Sequence, residues 1–241
     1  MPTGILAVTE QVEGTFKNIS FEAISAGKKL GDALGGPMTA LVMGSEGEAI
    51  AAQAAEYGAD RILVADNDGL KDGLSDACTQ AVDQIVAQAD PAVIVIGATA
   101  LGKDIAARLS ARLGSPLAMD CVDVRMDGDR IVATRPMYGG KVLADVSLSG
   151  SPAIVAIRPR AVAAAASQGD GAVEKVDGLA ANQGGLYAAE DVVTAAYQFE
   201  NGVLGVGAWC FTVGEPATRE MTTILGSKGR IRFHFFTGSR V

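Results

Sequence analysis

Apolar positions follow two rhythms along the first two-thirds of the chain. Short, nearly unbroken apolar runs occupy residues 5–8, 38–43, 61–65 and 92–96. Runs of this length, apolar on both alternating faces, predict strands buried in a parallel sheet. Between them the apolar residues recur every three or four positions, which predicts amphipathic helices. Ser20 is placed to cap the first helix, whose apolar face uses Phe21, Ile24, Leu30 and Leu34 and which Gly35-Gly36 closes. Residues 48–57 form a second helix ending at Gly58. Residues 74–89 form a third, with Ala77, Ala81, Ile85 and Val86 inward. The fourth spans 103–113, with Ile105, Leu109 and Leu113 on one stripe and Arg108 and Arg112 one turn apart beside it. Strands alternating with helices of this length predict an α/β fold, a mostly parallel sheet with helices on both faces.

After Gly114-Ser115-Pro116 the rhythm changes. Residues 121–125 and 130–134 flank Met126-Asp127-Gly128-Asp129, a hairpin signal, and 141–148 and 153–157 read as further strands. The α/β domain, residues 1–160, is thus expected to end in an antiparallel addition. Residues 161–186 are small, Gly-rich and without a clear period, the pattern of a linker. Residues 187–241 return to strands alone: 192–199 and 203–211 around Asn201-Gly202, then 220–225 and 230–236 around 226–229. They predict a small antiparallel β segment of four adjacent strands.

Charge and composition narrow the function classes. A formal net charge of −8 opposes nucleic-acid binding, which needs clustered Lys and Arg. Cys78, Cys121 and Cys210 form no CxxC pair and read as small core residues in a reducing compartment. His234, the only histidine, lies between Phe233 and Phe235 and reads as an ordinary strand residue, so no His-based metal cluster is expected. The first residues lack a basic, then apolar, leader, and the apolar stretch 92–102 is too short to span a bilayer. A cytoplasmic protein without membrane insertion is expected.

Two loops carry candidate chemistry. Gly97-Ala98-Thr99-Ala100-Leu101-Gly102-Lys103 fits GxxxxGK between a strand and a helix, the setting of a phosphate-binding loop. The next residue is Asp104, which supplies no hydroxyl for Mg²⁺ and repels phosphate, so NTP hydrolysis is not expected. Asp104 reads as a helix cap instead. Thr99, Gly102, Lys103 and Asp104 remain candidates for a nucleotide-like contact, because open α/β sheets bind ligands at the carboxyl ends of central strands. No GxGxxG follows the first strand, which argues against a Rossmann dinucleotide site. The second loop is Arg135-Pro136-Met137-Tyr138-Gly139-Gly140-Lys141. Arg135, Tyr138, Gly139 and Gly140 are interface candidates there, and a ligand-free hairpin corner is the alternative. Arg158 and Arg160 around Pro159 close the domain as a basic pair.

Four stretches in order carry a resemblance. They are residues 5–10, 97–104 with Ala107-Arg108-Leu109, 134–141, and Ala156-Ile157-Arg158-Pro159-Arg160-Ala161. Together they resemble the amino-terminal domain of the electron transfer flavoprotein alpha subunit. That resemblance implies a heterodimer with a beta subunit, carrying one FAD, with AMP held in the beta subunit. It implies electrons accepted from flavin dehydrogenases and passed to another acceptor. The chain is then an electron carrier subunit rather than an enzyme, inactive alone. In the family the flavin is held by segments of the type GRG, SRxxVDxG and QVGQTGK, and none occurs after Ala166. FAD is therefore implied for the complex, with no family flavin residue carried onto this chain.

Residues 191–199, 201–205 and 224–231 resemble the carboxyl-terminal sheet of the glucose–fructose oxidoreductase and inositol dehydrogenase family. That sheet implies self-association. The whole then reads as a truncated or chimeric chain. The alternatives are a fragment of a NAD(P)-dependent sugar or polyol dehydrogenase relative, or an AMP-type nucleotide-binding module.

Overall fold

A computed structural model describes residues 2–176, except 45, 71, 168 and 170. Beyond them it describes the backbone of five strands: β13 (Leu179–Ala181), β14 (Val192–Gln198), β15 (Leu204–Cys210), β16 (Thr222–Gly226) and β17 (Gly229–Phe233). The chain divides into two units, Met1–Asp177 and Gly178–Val241.

The first unit is built on β1 (Ile5–Val8), β4 (Met38–Gly44), β5 (Arg61–Asp66), β6 (Val93–Gly97), β7 (Leu117–Cys121), β11 (Ala153–Ile157) and β12 (Ala172–Lys175). These form one parallel sheet in the order β12-β5-β4-β1-β6-β11-β7. The central strands are buried on both sides because their alternate residues enter different cores. Ile5 and Ala7 of β1 face α1 (Asn18–Leu34), with its Ala23, Ile24, Ala26 and Leu30. Leu6 and Val8 face α3 (Ser75–Ala89) and α4 (Ala100–Leu113), with Val82, Ile85, Ile105 and Leu109. Each fully buried Ile or Leu contributes about 1.5–3 kcal/mol against the chain entropy of ordering. The mostly parallel α/β sheet read from the sequence is the observed one.

Several local expectations are corrected. Residues 153–157 were assigned to the antiparallel addition, yet β11 lies inside the parallel sheet, between β6 and β7. Its five residues are all buried, as a strand covered on both faces requires. The antiparallel addition is β8 (Asp123–Asp127), β9 (Arg130–Met137) and β10 (Val142–Leu148), in the order β10-β9-β8. The helix expected over 48–57 is one short turn, α2 (Gly47–Ala51), running into a 3₁₀ turn. The segment expected to be a linker supplies β12, which pairs with β5 at the sheet edge. All four β12 residues are exposed, so burial imposes no apolar period on them. The second unit pairs as β13-β14-β15 and, separately, β16-β17, rather than as four adjacent strands. His234 lies outside the described residues.

Ser20 does not cap α1. The helix begins at Asn18, and Ser20 is buried inside it. Its hydroxyl donates to the Glu10 carbonyl (2.7 Å) and accepts from the Glu10 N–H (2.8 Å). A serine on the buried side of a first turn can satisfy a neighbouring strand end instead of its own helix. Replacing Ser20 with Ala leaves the Glu10 N–H without that acceptor, at a cost of about 1–3 kcal/mol. Ser25, whose hydroxyl meets exposed Ala165, is the control, with an expected change within about 0.5 kcal/mol. Urea unfolding of S20A and S25A should separate them in that order.

Candidate functional site

The sheet order places a topological switch between β1 and β6. From β1 the chain moves to β4 and β5 on one side, while β6, β11 and β7 lie on the other. In open α/β sheets the crevice outside the carboxyl ends of two such strands is the usual ligand site. Here it contains Glu10, just past β1, and the turn Ala98-Thr99, between β6 and α4.

Glu10 is buried, its side chain 4% exposed, and both carboxylate oxygens are engaged. Thr99 Oγ1 donates to Oε1 at 2.5 Å, and Lys17 Nζ donates to Oε2 at 2.9 Å. Thr99 is also the N-cap of α4, because its extended backbone lets Oγ1 accept the Gly102 N–H at 3.0 Å. The Lys103 N–H is taken by the Thr99 carbonyl at 3.0 Å. Thr99, rather than the expected Asp104, thus caps the helix. Asp104 lies one turn further on and accepts from Arg108 Nε at 3.1 Å. Hydrogen bonds from Ser75 and Arg108 hold its carboxyl below the usual carboxylate range.

The glycines of the GxxxxGK stretch have a packing role. A Cβ on Gly102 would fall onto the Gly97 carbonyl oxygen and lie 3.2 Å from Glu10 Oε1. A Cβ on Gly97 would collide with Ile19. Only Ala98 and Thr99 separate strand from helix. Gly102 and Lys103, which belong to the loop of a phosphate cradle, are here wound into α4. The Gly102 and Lys103 N–H groups are both taken by Thr99. Those two amides are therefore not free to receive a phosphate in this conformation.

A second group lies at the ends of β7 and β11. Asp120, at φ +63°, accepts from Arg158 Nη2 at 2.6 Å and Nε at 3.2 Å, a forked pair. Arg158, with help from Lys103 and Arg135, holds the Asp120 carboxyl below its usual range. Arg160 donates its N–H to buried Glu22 at 2.7 Å. The basic pair closing the α/β domain is thus partly consumed by the fold. Arg108 and Arg112 pair with Asp76 and Asp83, so their shared face joins α4 to α3. Burial pushes the Cys78 and Cys121 thiols up to about 11, which suits core residues rather than nucleophiles.

The interface candidates gather at the β9–β10 hairpin. Tyr138, Gly139 and Gly140 form its tip, all at positive φ, with Tyr138 75% exposed. Met137, Val142 and Leu143 are exposed beside it. Arg135 sits one step inside, opposite Ala144. Its Nε is buried without a hydrogen-bond partner. The structure therefore brings Arg135, Tyr138, Gly139 and Gly140 together at one hairpin, and Thr99, Gly102 and Lys103 at another edge. Sequence reasoning missed Glu10 and Lys17. The only signal for Glu10 was an acid ending an apolar strand run.

Among the described residues no group of three His, Cys, Asp or Glu could hold a metal ion, and no helix is long and apolar enough to cross a membrane.

Thr99→Ala removes the α4 cap and a donor to buried Glu10, and should cost about 2–3 kcal/mol by urea unfolding. Thr99→Ser keeps both bonds and should recover most of that. Asp120 gives a pH test. Its lowered folded pKa means its pair stabilises above the unfolded value and is lost as pH falls through the folded one. Asp120→Asn should be less stable than the parent near neutral pH and converge with it in acid. A constant difference down to about pH 2 would contradict this.

Comparison with known proteins places the chain. Residues 5–181 match the family described as "Electron transfer flavoprotein domain". The chain is similar to "Protein FixB" of Clostridium saccharobutylicum, 36% identical over 159 residues, covering 65% of this chain and 47% of that protein. It is similar to "Electron transfer flavoprotein subunit alpha" of Bacillus subtilis (strain 168), 34% identical over 177 residues, covering 72% of this chain and 53% of that protein. It is also similar to "Acryloyl-CoA reductase electron transfer subunit beta" of Anaerotignum propionicum, 34% identical over 161 residues, covering 57% and 44%. The chain thus spans about half the length of the curated relatives it matches. With nearly three-quarters of its residues inside that match, the chain belongs to the electron transfer flavoprotein domain family and is alpha-subunit-like.

Proposed function

We propose that this chain frames one half of an electron transfer flavoprotein, pairing with a beta-type subunit in a redox heterodimer. The complex would take electrons from flavin dehydrogenases and pass them to an acceptor, with FAD supplying the redox chemistry. The residues of this chain contribute a rigid α/β body and a docking surface. Family membership supports this reading over the dehydrogenase-fragment and AMP-module alternatives. A separate role for the carboxyl-terminal strands, and self-association through them, are parts of the same proposal.

One observation carries the docking surface. The β9–β10 hairpin presents Met137, Tyr138, Val142 and Leu143 to solvent, with the buried, unpartnered Arg135 Nε at its base. An apolar tip beside an unpartnered guanidinium nitrogen suits a partner with an apolar patch and an acceptor. Along β9, Ala133 is fully buried and Met137 is exposed, and both point to the same face. The face of the hairpin that packs on the core therefore continues past it.

The test is complex formation with a beta-type subunit, read by size-exclusion chromatography and titration. Arg135→Glu and Tyr138→Ala should each weaken association about tenfold or more, an amount typical of interface anchors. Arg130→Glu, at the opposite end of β9, should not. Unchanged association for the Arg135 and Tyr138 variants would remove the hairpin as the docking surface. Failure of the parent chain to associate at all would remove the heterodimer reading.

A further inference from the structure

We propose that Glu10 is an internal ligand. Its carboxylate holds the place at the switch point that an anionic ligand takes in other open α/β sheets, and it keeps this edge closed to phosphate. This goes beyond the heterodimer reading and does not depend on it.

Three parts of an anion site converge there, and the first two are bonded to the Glu10 carboxylate. The first is a cation, Lys17 Nζ at 2.9 Å. The second is a hydroxyl, Thr99 Oγ1 at 2.5 Å. The third is the amino-terminal end of the fourteen-residue helix α4, whose positive end favours negative charge. A phosphate loop uses the same parts, a lysine, a hydroxyl and a helix start. Here the lysine comes from a different element, and the anion comes from the chain itself.

The local fold is arranged to bring these groups together. After Glu10 the chain turns through a two-residue pair, β2 (Gln11–Val12) and β3 (Thr15–Phe16), with Glu13 and Gly14 at positive φ. Gln11 fixes the turn by accepting the Gly14 N–H at 2.9 Å and donating to the Met43 carbonyl. The turn returns Lys17 to the carboxylate seven residues earlier, and the Lys17 N–H donates to the Glu10 carbonyl at 2.9 Å. Ser20 holds the Glu10 backbone from the other side. Gly102 leaves room for the carboxylate, since a Cβ there would lie 3.2 Å from Oε1.

Removal of the carboxylate should therefore leave a small anion site lined by Lys17 and Thr99. The test is thermal unfolding of the whole chain carrying Glu10→Ala, in sodium formate and in sodium chloride at equal ionic strength. Formate restores the missing carboxylate. It should raise the variant's Tm on the order of 3 °C or more above chloride, with saturation. The parent should show no such preference. If Glu10→Ala is too unstable to melt in chloride, recovery of the folded signal in formate is the same expected result. Adding Lys17→Ala should abolish the preference. Calorimetric titration with inorganic phosphate should detect binding to Glu10→Ala and none to the parent at millimolar concentrations, roughly the weak end of specific affinity. Equal behaviour of Glu10→Ala in the two salts, or parent binding of phosphate as tight as the variant's, would overturn the proposal.

Discussion

One buried carboxylate organises the carboxyl edge of this sheet. A charged group removed from water must be paired and hydrogen-bonded, or it costs several kcal/mol. Glu10 meets that demand with groups from two other elements: Lys17 at the entrance to α1 and Thr99 at the head of α4. Its backbone is held by Ser20 within α1. Three consequences follow from that pairing. The start of α4 is drawn against β6, so that Gly102 admits no side chain. The β2–β3 turn is fixed, because Lys17 must come back to Glu10. The first helix and the fourth, on opposite faces of the sheet, are joined through one side chain.

That constraint shapes how the domain can serve a redox complex. The crevice between β1 and β6, the ordinary place for a nucleotide in such a sheet, is already satisfied internally. Among the described residues Arg135 Nε, buried without a hydrogen-bond partner, and the exposed hairpin tip around Tyr138 lie elsewhere. A body closed at its ligand edge and open at a hairpin is suited to framing a partner. In this account the specific contacts lie on the antiparallel addition and the rigidity comes from the parallel sheet.

Much of the fold was legible because burial writes a period into the sequence. Residues 5–8, 38–43, 61–65 and 92–96 are apolar on both alternating faces and became the four strands first expected. β12 was not legible, because an exposed edge strand needs no apolar alternation. β7 was missed because Asp120 interrupts its apolar run, and Asp120 is there to pair with Arg158. The position of β11 beside β6 depends on long-range pairing that a run of apolar residues does not specify. At the candidate site the sequence showed Thr99, Gly102 and Lys103 but assigned the cap to Asp104. The partner of Thr99 lies 89 residues away in the chain, and no local pattern announces it. Arg108 and Arg112 were legible as a face, while their acids on α3 were not.

Amide hydrogen exchange at Gly102 and Lys103, read residue by residue, tests the closed edge most directly. Both amides are bonded to Thr99, which Glu10 holds in place. They should exchange about as slowly as the Val95 amide in the centre of β6, through global unfolding. Exchange as rapid as that of the exposed Gly139 amide at the hairpin tip would show an open, loop-like edge and contradict the account.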